Sequence, residues 1–313
     1  MGDALSSPIR RRRLGTIALA ALGITAVGLA VSPEHTTRAA AGSAGDSAPQ
    51  PSDSPSDQAG ADDTRPDGLL APVASINPVT GGHPLSLGWN GTRVRILQKA
   101  LGVYRTGPRQ TFDAGTQAAV ISFQRRHFLQ PDGVVGPKTW ELLAPEYPFD
   151  MDAWTTEVAL PTSATPEERI DQFIAFQQQQ IGAPFTWGGA GWKETSEVGF
   201  DCSGLALQAL YSAGLDPRPI TVVKHGEPTY QSSRVLYSHP GLQSVPREHM
   251  QRGDIVFFAH EEGGPVHHVA TYIGRGKVIE SFSTDVHTTI YCGGARHHDT
   301  YYWAKPLVKR PFV

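Results

Sequence analysis

The chain is poor in cysteine, with two in 313 residues. Two thiols cannot build a disulfide-stapled scaffold or a four-cysteine metal knuckle. It also lacks a surplus of positive charge: Lys+Arg 27 stand against Asp+Glu 30, a formal net charge of −3. Residues 1–41 hold five Arg and two acids, which leaves 22 basic against 28 acidic groups, net −6, in the remainder. Composition of that sign gives no case for nucleic-acid binding. Short metal-ligand spacings such as HExxH or paired CxxC are missing too. His260, His267, His268, His297, His298 and Cys292 therefore do not add up to an expected metal site. What is plentiful is Gly 33 and Pro 25, which points to linkers between one or two domains of ordinary size.

Four arginines at 10–13 precede an uncharged apolar stretch, Leu14–Val31, and then small residues ending at Ala39 and Ala41. A basic start, an apolar centre and a small-residue exit form the pattern of an export signal, here 1–41. At 18 residues the stretch just reaches the length of a membrane span, but its Gly and Thr content makes it a weak anchor. From 42 to 80 the chain is dominated at first by Ala, Gly, Ser, Asp and Pro, and reads as a flexible linker.

Helical periodicity begins after Asn90, a candidate cap, with Val94, Leu97 and Leu101 on one face. A second helix is expected from Asp113 and a third over 139–143, so 81–145 reads as a small three-helix domain. A second linker is expected over 146–164. Thr165, Pro166, Glu167 and Glu168 then open a helix whose buried face is read as Ile170, Phe173, Ile174 and Ile181. Another helix starts near Cys202, and strand patterns follow at 254–259, 269–273, 277–282 and 301–308. Helices first and short strands afterwards give an α+β domain with an antiparallel sheet over 165–313.

Cys202 sits in GFDCSGLALQAL, where Asp201 and Ser203 suit a helix start. A thiol there meets unpaired backbone N–H groups and the positive end of the dipole, which favour a thiolate and can receive an oxyanion. The bland alternative is an inert cysteine or a bond to Cys292. In HVATYIGRGKVIES, a hairpin centred on Gly274 would set His268 opposite Glu280 and Ala270 opposite Val278. A carboxylate on one imidazole nitrogen fixes the tautomer and leaves the other nitrogen to take a thiol proton. Cys202 as nucleophile, His268 as base and Glu280 as orienter follow triad logic. The alternative is a surface His–Glu pair of small consequence. His267 has the opposite strand parity, which favours His268.

APFTWGG at 183–189, FDCSG at 200–204, MQRGDIVFF at 250–258 and HHVATYIGRGKVIE at 267–280 together resemble the NlpC-type peptidoglycan endopeptidases. The resemblance implies a compact papain-like fold with Cys202 as nucleophile, His268 as base and Glu280 as the third polar residue, a position where many members carry His. Phe185, Trp187, Asp201 and Ser203 fall on the motif positions that would face substrate. Many relatives have Tyr where this chain has Phe185, so a hydroxyl beside the nucleophile is missing. GTRVRILQKALGV at 91–103, TQAAVISFQRRH at 116–127 and DGVVGPKTWELL at 132–143 are similar to a three-helix peptidoglycan-binding domain. The two resemblances imply a secreted, wall-located enzyme that cuts the stem peptide between D-glutamyl or D-isoglutaminyl and the diamino acid. Its partners would be peptidoglycan stem peptides and glycan, with no cofactor, no nucleic acid and no stable membrane partner after signal cleavage. An N-acetylmuramoyl-L-alanine amidase and a catalytically silent wall-binding protein are the competing readings.

Overall fold

The computed structural model describes residues 64–76, 83–107, 110–151, 157–191, 199–222, 224–291 and 303–313. The expected export signal, the first part of the 42–80 linker and Cys292 lie outside the described residues. Residues Gln58–Val313 belong to one compact unit. Among the described residues no helix is long and apolar enough to cross a membrane.

Three helices come first: α1 (Thr92–Ala100), α2 (Ala114–Arg126) and α3 (Pro137–Leu143). Asp113 caps α2 by accepting the Thr116 N–H at 2.7 Å, and Pro137 occupies the first turn of α3. Their apolar faces close on Val94, Leu97, Phe112, Val120, Val135 and Trp140. The expected cap of α1 is displaced: Gly91 holds the N-cap position, with no side-chain cap. Asn90 instead donates from its amide to the Gly88 carbonyl at 3.0 Å and accepts from the Thr111 hydroxyl at 2.8 Å. Beyond α2, Phe128 stands at φ 55 with its side chain on the surface.

The second part carries α4 (Pro166–Gln179), α5 (Cys202–Ser212) and α6 (Ser232–Ser238). Thr165 caps α4 as the sequence suggests, and Glu168 reaches back to complete a reciprocal box with it. Phe173 and Ile174 are buried, whereas Ile181 lies past the last turn and is exposed. Seven strands follow: β1 (Gln243–Pro246), β2 (Ile255–Ala259), β3 (Val266–Gly274), β4 (Lys277–Phe282), β5 (Asp285–Ile290), β6 (Trp303–Ala304) and β7 (Leu307–Arg310). They form one antiparallel sheet in the order β1-β7-β2-β3-β4-β5, with β6 also on β2. The domain is α+β. α5 is buried along its length and packs on α4 and on the β3 and β4 side of the sheet, through Leu205, Leu210, Phe173, Phe257 and Ile279. Val256, Phe258, Ala270, Val278 and Val308 fill the opposite face of the sheet, the alternation expected of strands buried on both sides.

Both expected linkers depart from free tethers where they are described. In 64–76, Leu70 enters the α5 core, its N–H donates to Gly241 at 3.0 Å, and Arg65 donates to the Val313 carbonyl at 2.7 Å. In 146–164, Met151 joins the helical core and the Ala159 N–H donates to Ser212 at 2.9 Å. Arg169, itself buried, donates to the Pro161 and Thr162 carbonyls and fixes the end of that segment.

Candidate active site

Asp201 organises the start of α5. One carboxylate oxygen accepts from the Ser203 N–H at 3.0 Å and the Gly204 N–H at 2.9 Å, and the other accepts from the Gly188 N–H at 2.9 Å. His225 Nε2 lies 2.7 Å from the first oxygen. Burial works against this carboxylate, but the His225 charge and the N–H donors overcome it and hold its pKa below the ordinary value. Gly204 is required by packing, because a Cβ there would collide with the Gly189 carbonyl. Only a bare Cα lets the Trp187-Gly188-Gly189 segment cross the first turn of the helix.

Cys202 is therefore the first residue of a firmly capped helix, half-buried and not in a disulfide. The expected stabilisation of a thiolate by the helix start meets two opposing effects. Desolvation and the Asp201 charge push the thiol pKa up, against the backbone N–H groups of Val269 and Ser203 that favour the anion.

The β3–β4 hairpin brings His268 to the same cleft as Cys202, in a register that differs from the expected one. Its turn is the pair Arg275-Gly276, both at positive φ (53 and 67), between Gly274 and Lys277. Two left-handed residues in succession match strand twist in a two-residue loop. The centre thus moves past Gly274, and Thr271 faces Ile279 while Tyr272 faces Val278. The expected pairs His268–Glu280 and Ala270–Val278 are each displaced by two residues. A shift of two preserves the face, so His268 and Glu280 meet diagonally, with His268 Nε2 2.5 Å from Glu280 Oε2. Both are buried. Glu280 engages the His268 ring through Nε2.

A cleft of about 250 Å³ gathers Phe185, Trp187, Asp201, Cys202, Ser203 and His268. Glu280 stands behind His268 rather than in the cleft wall. His267 also lines the cleft, against the parity expectation. A β-bulge between β2 and β3 inserts one extra residue at that point, so strict alternation fails. Its ring lies 6.0 Å from Trp187 and 3.7 Å from His260. Three further groups escaped the sequence reading. His225 bonds Asp201 through Nε2 and Ser232 Oγ through Nδ1 at 2.8 Å, a buried chain along one wall. Tyr230 is a phenol in the same cleft, with its pKa raised by burial and by Glu227. Asn90 arrives from the helical module. Among the described residues no group of three or more His, Cys, Asp or Glu is placed to hold a metal ion.

The family comparison matches the same stretch of chain. Residues 182–310 match the NlpC/P60 family, and 90–143 match a putative peptidoglycan binding domain. This chain carries an NlpC/P60 domain. A gamma-D-glutamyl-L-lysine dipeptidyl-peptidase of Bacillus cereus is 38% identical over 117 residues, 37% of this chain and 29% of the relative. The peptidoglycan endopeptidase RipA of Mycolicibacterium smegmatis is 26% identical over 209 residues, 64% of this chain and 34% of the relative. The chain thus spans about a third of the length of the curated relatives it matches. Among solved structures, RipD of Mycobacterium tuberculosis, described as a non-catalytic NlpC/p60 domain protein, is 26% identical with a TM-score of 0.33, covering 45% of this chain and 96% of RipD. The NlpC/P60 match begins at the Gly-rich wall of the cleft and ends at β7, so it contains Cys202, His268 and Glu280.

Proposed function

We propose that the protein is a secreted, wall-located peptidoglycan hydrolase, a cysteine-type D,L-endopeptidase acting between D-glutamyl or D-isoglutaminyl and the diamino acid. The observation that carries this reading is the buried His268–Glu280 pair in the cleft of a capped-helix cysteine. Glu280 fixes His268 with its proton on Nε2. Nδ1 then takes the Cys202 proton as sulfur attacks the amide carbon. The first N–H groups of α5 receive the oxyanion. His268 returns the proton to the leaving amine, and the amine departs from a thioester. Water, deprotonated by His268, then hydrolyses the thioester and restores the thiol. These steps call on no metal or organic cofactor. The 90–143 domain supplies affinity for the glycan and stem peptides of the wall.

Mass spectrometry of soluble products from purified peptidoglycan tests the reading, using the protein and its Cys202→Ala variant. Expected are soluble peptides that begin at the diamino acid with a free amine, with L-alanyl-D-glutamate or isoglutamine left on muramic acid, and neither product with the variant. Intact stem peptides released from muramic acid would move the assignment to the amidase. The silent-domain reading draws on Phe185, which carries no hydroxyl in the cleft. It would be favoured if both proteins bound the wall and released nothing.

A further inference from the structure

The helical module reaches into the cleft rather than hanging beside it. Its Asn90 backbone N–H donates to the Gly226 carbonyl at 2.9 Å, next to His225. On the other side Gly91, at φ 106, touches the backbone of Gly188, next to Trp187; a Cβ at Gly91 would lie 2.7 Å from the Gly188 carbonyl. Asn90 is thus held between the two walls that flank Cys202, and it lines the cleft with them. Two outer contacts pin the arrangement. Arg95, buried on α1, donates to the Thr186 hydroxyl, and Gly88 approaches Pro228 so closely that a Cβ would lie 2.9 Å from its ring.

The Asn90 side chain is set in one orientation before any ligand arrives. Thr111 fixes its oxygen at 2.8 Å and the Gly88 carbonyl takes one amide hydrogen at 3.0 Å. An amide has two N–H donors, so a second remains in the same plane. A donor held in place by neighbouring bonds loses little entropy when it binds. Asn90 also does not cap α1, so the helix gives no structural reason for an amide at this position.

We infer that Asn90 is a substrate-contacting residue, donating its second amide N–H to a carbonyl or carboxylate oxygen of the bound stem peptide. The helical module thereby belongs to the peptide site as well as to the wall-binding surface. The inference rests on the peptidase reading for the identity of the ligand, and binding can test it without turnover.

The experiment is calorimetric titration of a soluble stem tripeptide, L-Ala-γ-D-Glu-diamino acid without glycan, into the full chain carrying Cys202→Ala. The titration is repeated with Asn90→Ala, Asn90→Asp and Thr111→Val added. Expected is weaker binding by about 10-fold to 100-fold for Asn90→Ala, the range of a hydrogen bond to a charged group. Asn90→Asp keeps the oxygen that Thr111 holds but replaces the donor by an anion, so it binds more weakly still. Thr111→Val gives an intermediate loss. Equal peptide affinity in Asn90→Ala and its parent overturns the inference, as does Asn90→Asp binding like the parent, which marks a structural role. Peptide that binds but is never cut by the unaltered protein overturns the peptidase reading alone. No binding by the Cys202→Ala parent overturns both.

Discussion

His268 can act as a base only if its ring is turned and its proton held on Nε2, and one carboxylate does both. Glu280→Gln keeps the shape but can offer its amide N–H to Nε2, which puts the ring proton on the nitrogen that must accept. We expect kcat on peptide to fall roughly 10²- to 10⁴-fold, with little change in KM; steady-state kinetics on the stem tripeptide would measure it. Cys202 gives a second expectation. Burial and Asp201 raise its thiol above the ordinary value, so its ionisation lies at higher pH than that of an exposed cysteine. Alkylation by iodoacetamide at mildly acidic pH should be slower than for an unstructured cysteine peptide, and it should accelerate only as pH rises past the ordinary thiol range. Labelling as fast as a low-pKa thiolate would contradict the geometry. Phe128 carries a different cost. A non-glycine residue at φ 55 with its side chain 97% exposed gains no packing for its backbone strain. Phe128→Gly should stabilise the fold by about 1 kcal/mol, read as a higher Tm.

Among the elements, β2 and β7 are fastened by a pair that sequence patterning does not show. Arg310 donates from Nε and Nη2 to both oxygens of Asp254, at 2.9 and 2.8 Å, and Asp254 is buried at the entrance to β2. Arg310→Met would leave that carboxylate buried without its cation. A loss of about 3–5 kcal/mol is expected, measurable by urea denaturation. The elements legible in the sequence were those with a strong local cause. The α4 box, the Asp113 and Asp201 caps and the all-buried β2 each announce themselves in a few residues. β1 and β5 did not, and both are edges of the sheet. Of the four residues of β1 only Val245 is buried, so no apolar alternation exists to be read. The hairpin was centred wrongly for a related reason. Gly274 looks like the turn, yet it is Arg275, a residue with no glycine-like freedom, that shares the left-handed pair with Gly276. The His268–Glu280 contact survived because a slip of two leaves a side chain on its face.

At the scale of the molecule, the sequence says nothing of how the helical part and the α+β part fit together. No local pattern encodes that Asn90 lies between Gly188 and Gly226, because the close approaches beside it are made by glycine backbone at Gly91, Gly188 and Gly226. Gly91→Val tests it: the φ of 106 disfavours any branched residue, and the added atoms meet the Gly188 backbone. The unaltered protein is expected to melt in one cooperative transition of its described body. Gly91→Val should split this into two transitions by calorimetry, with the helical part free to move. A single unshifted transition would show that the contact contributes nothing to cohesion.

On the proposed function, the Gly91–Gly188 contact also fixes how far from its hold on the wall the protein can cut. A hydrolase on a loose leash sweeps a sphere around its anchor and trims whatever strand drifts within range. Here, on the proposed function, the gripping helices and the cutting cysteine keep one spacing, so each foothold on the mesh exposes one bond to attack. Moving to the next cut requires letting go. Such an enzyme leaves a pattern of incisions set by the repeat of the wall itself rather than by the length of a linker.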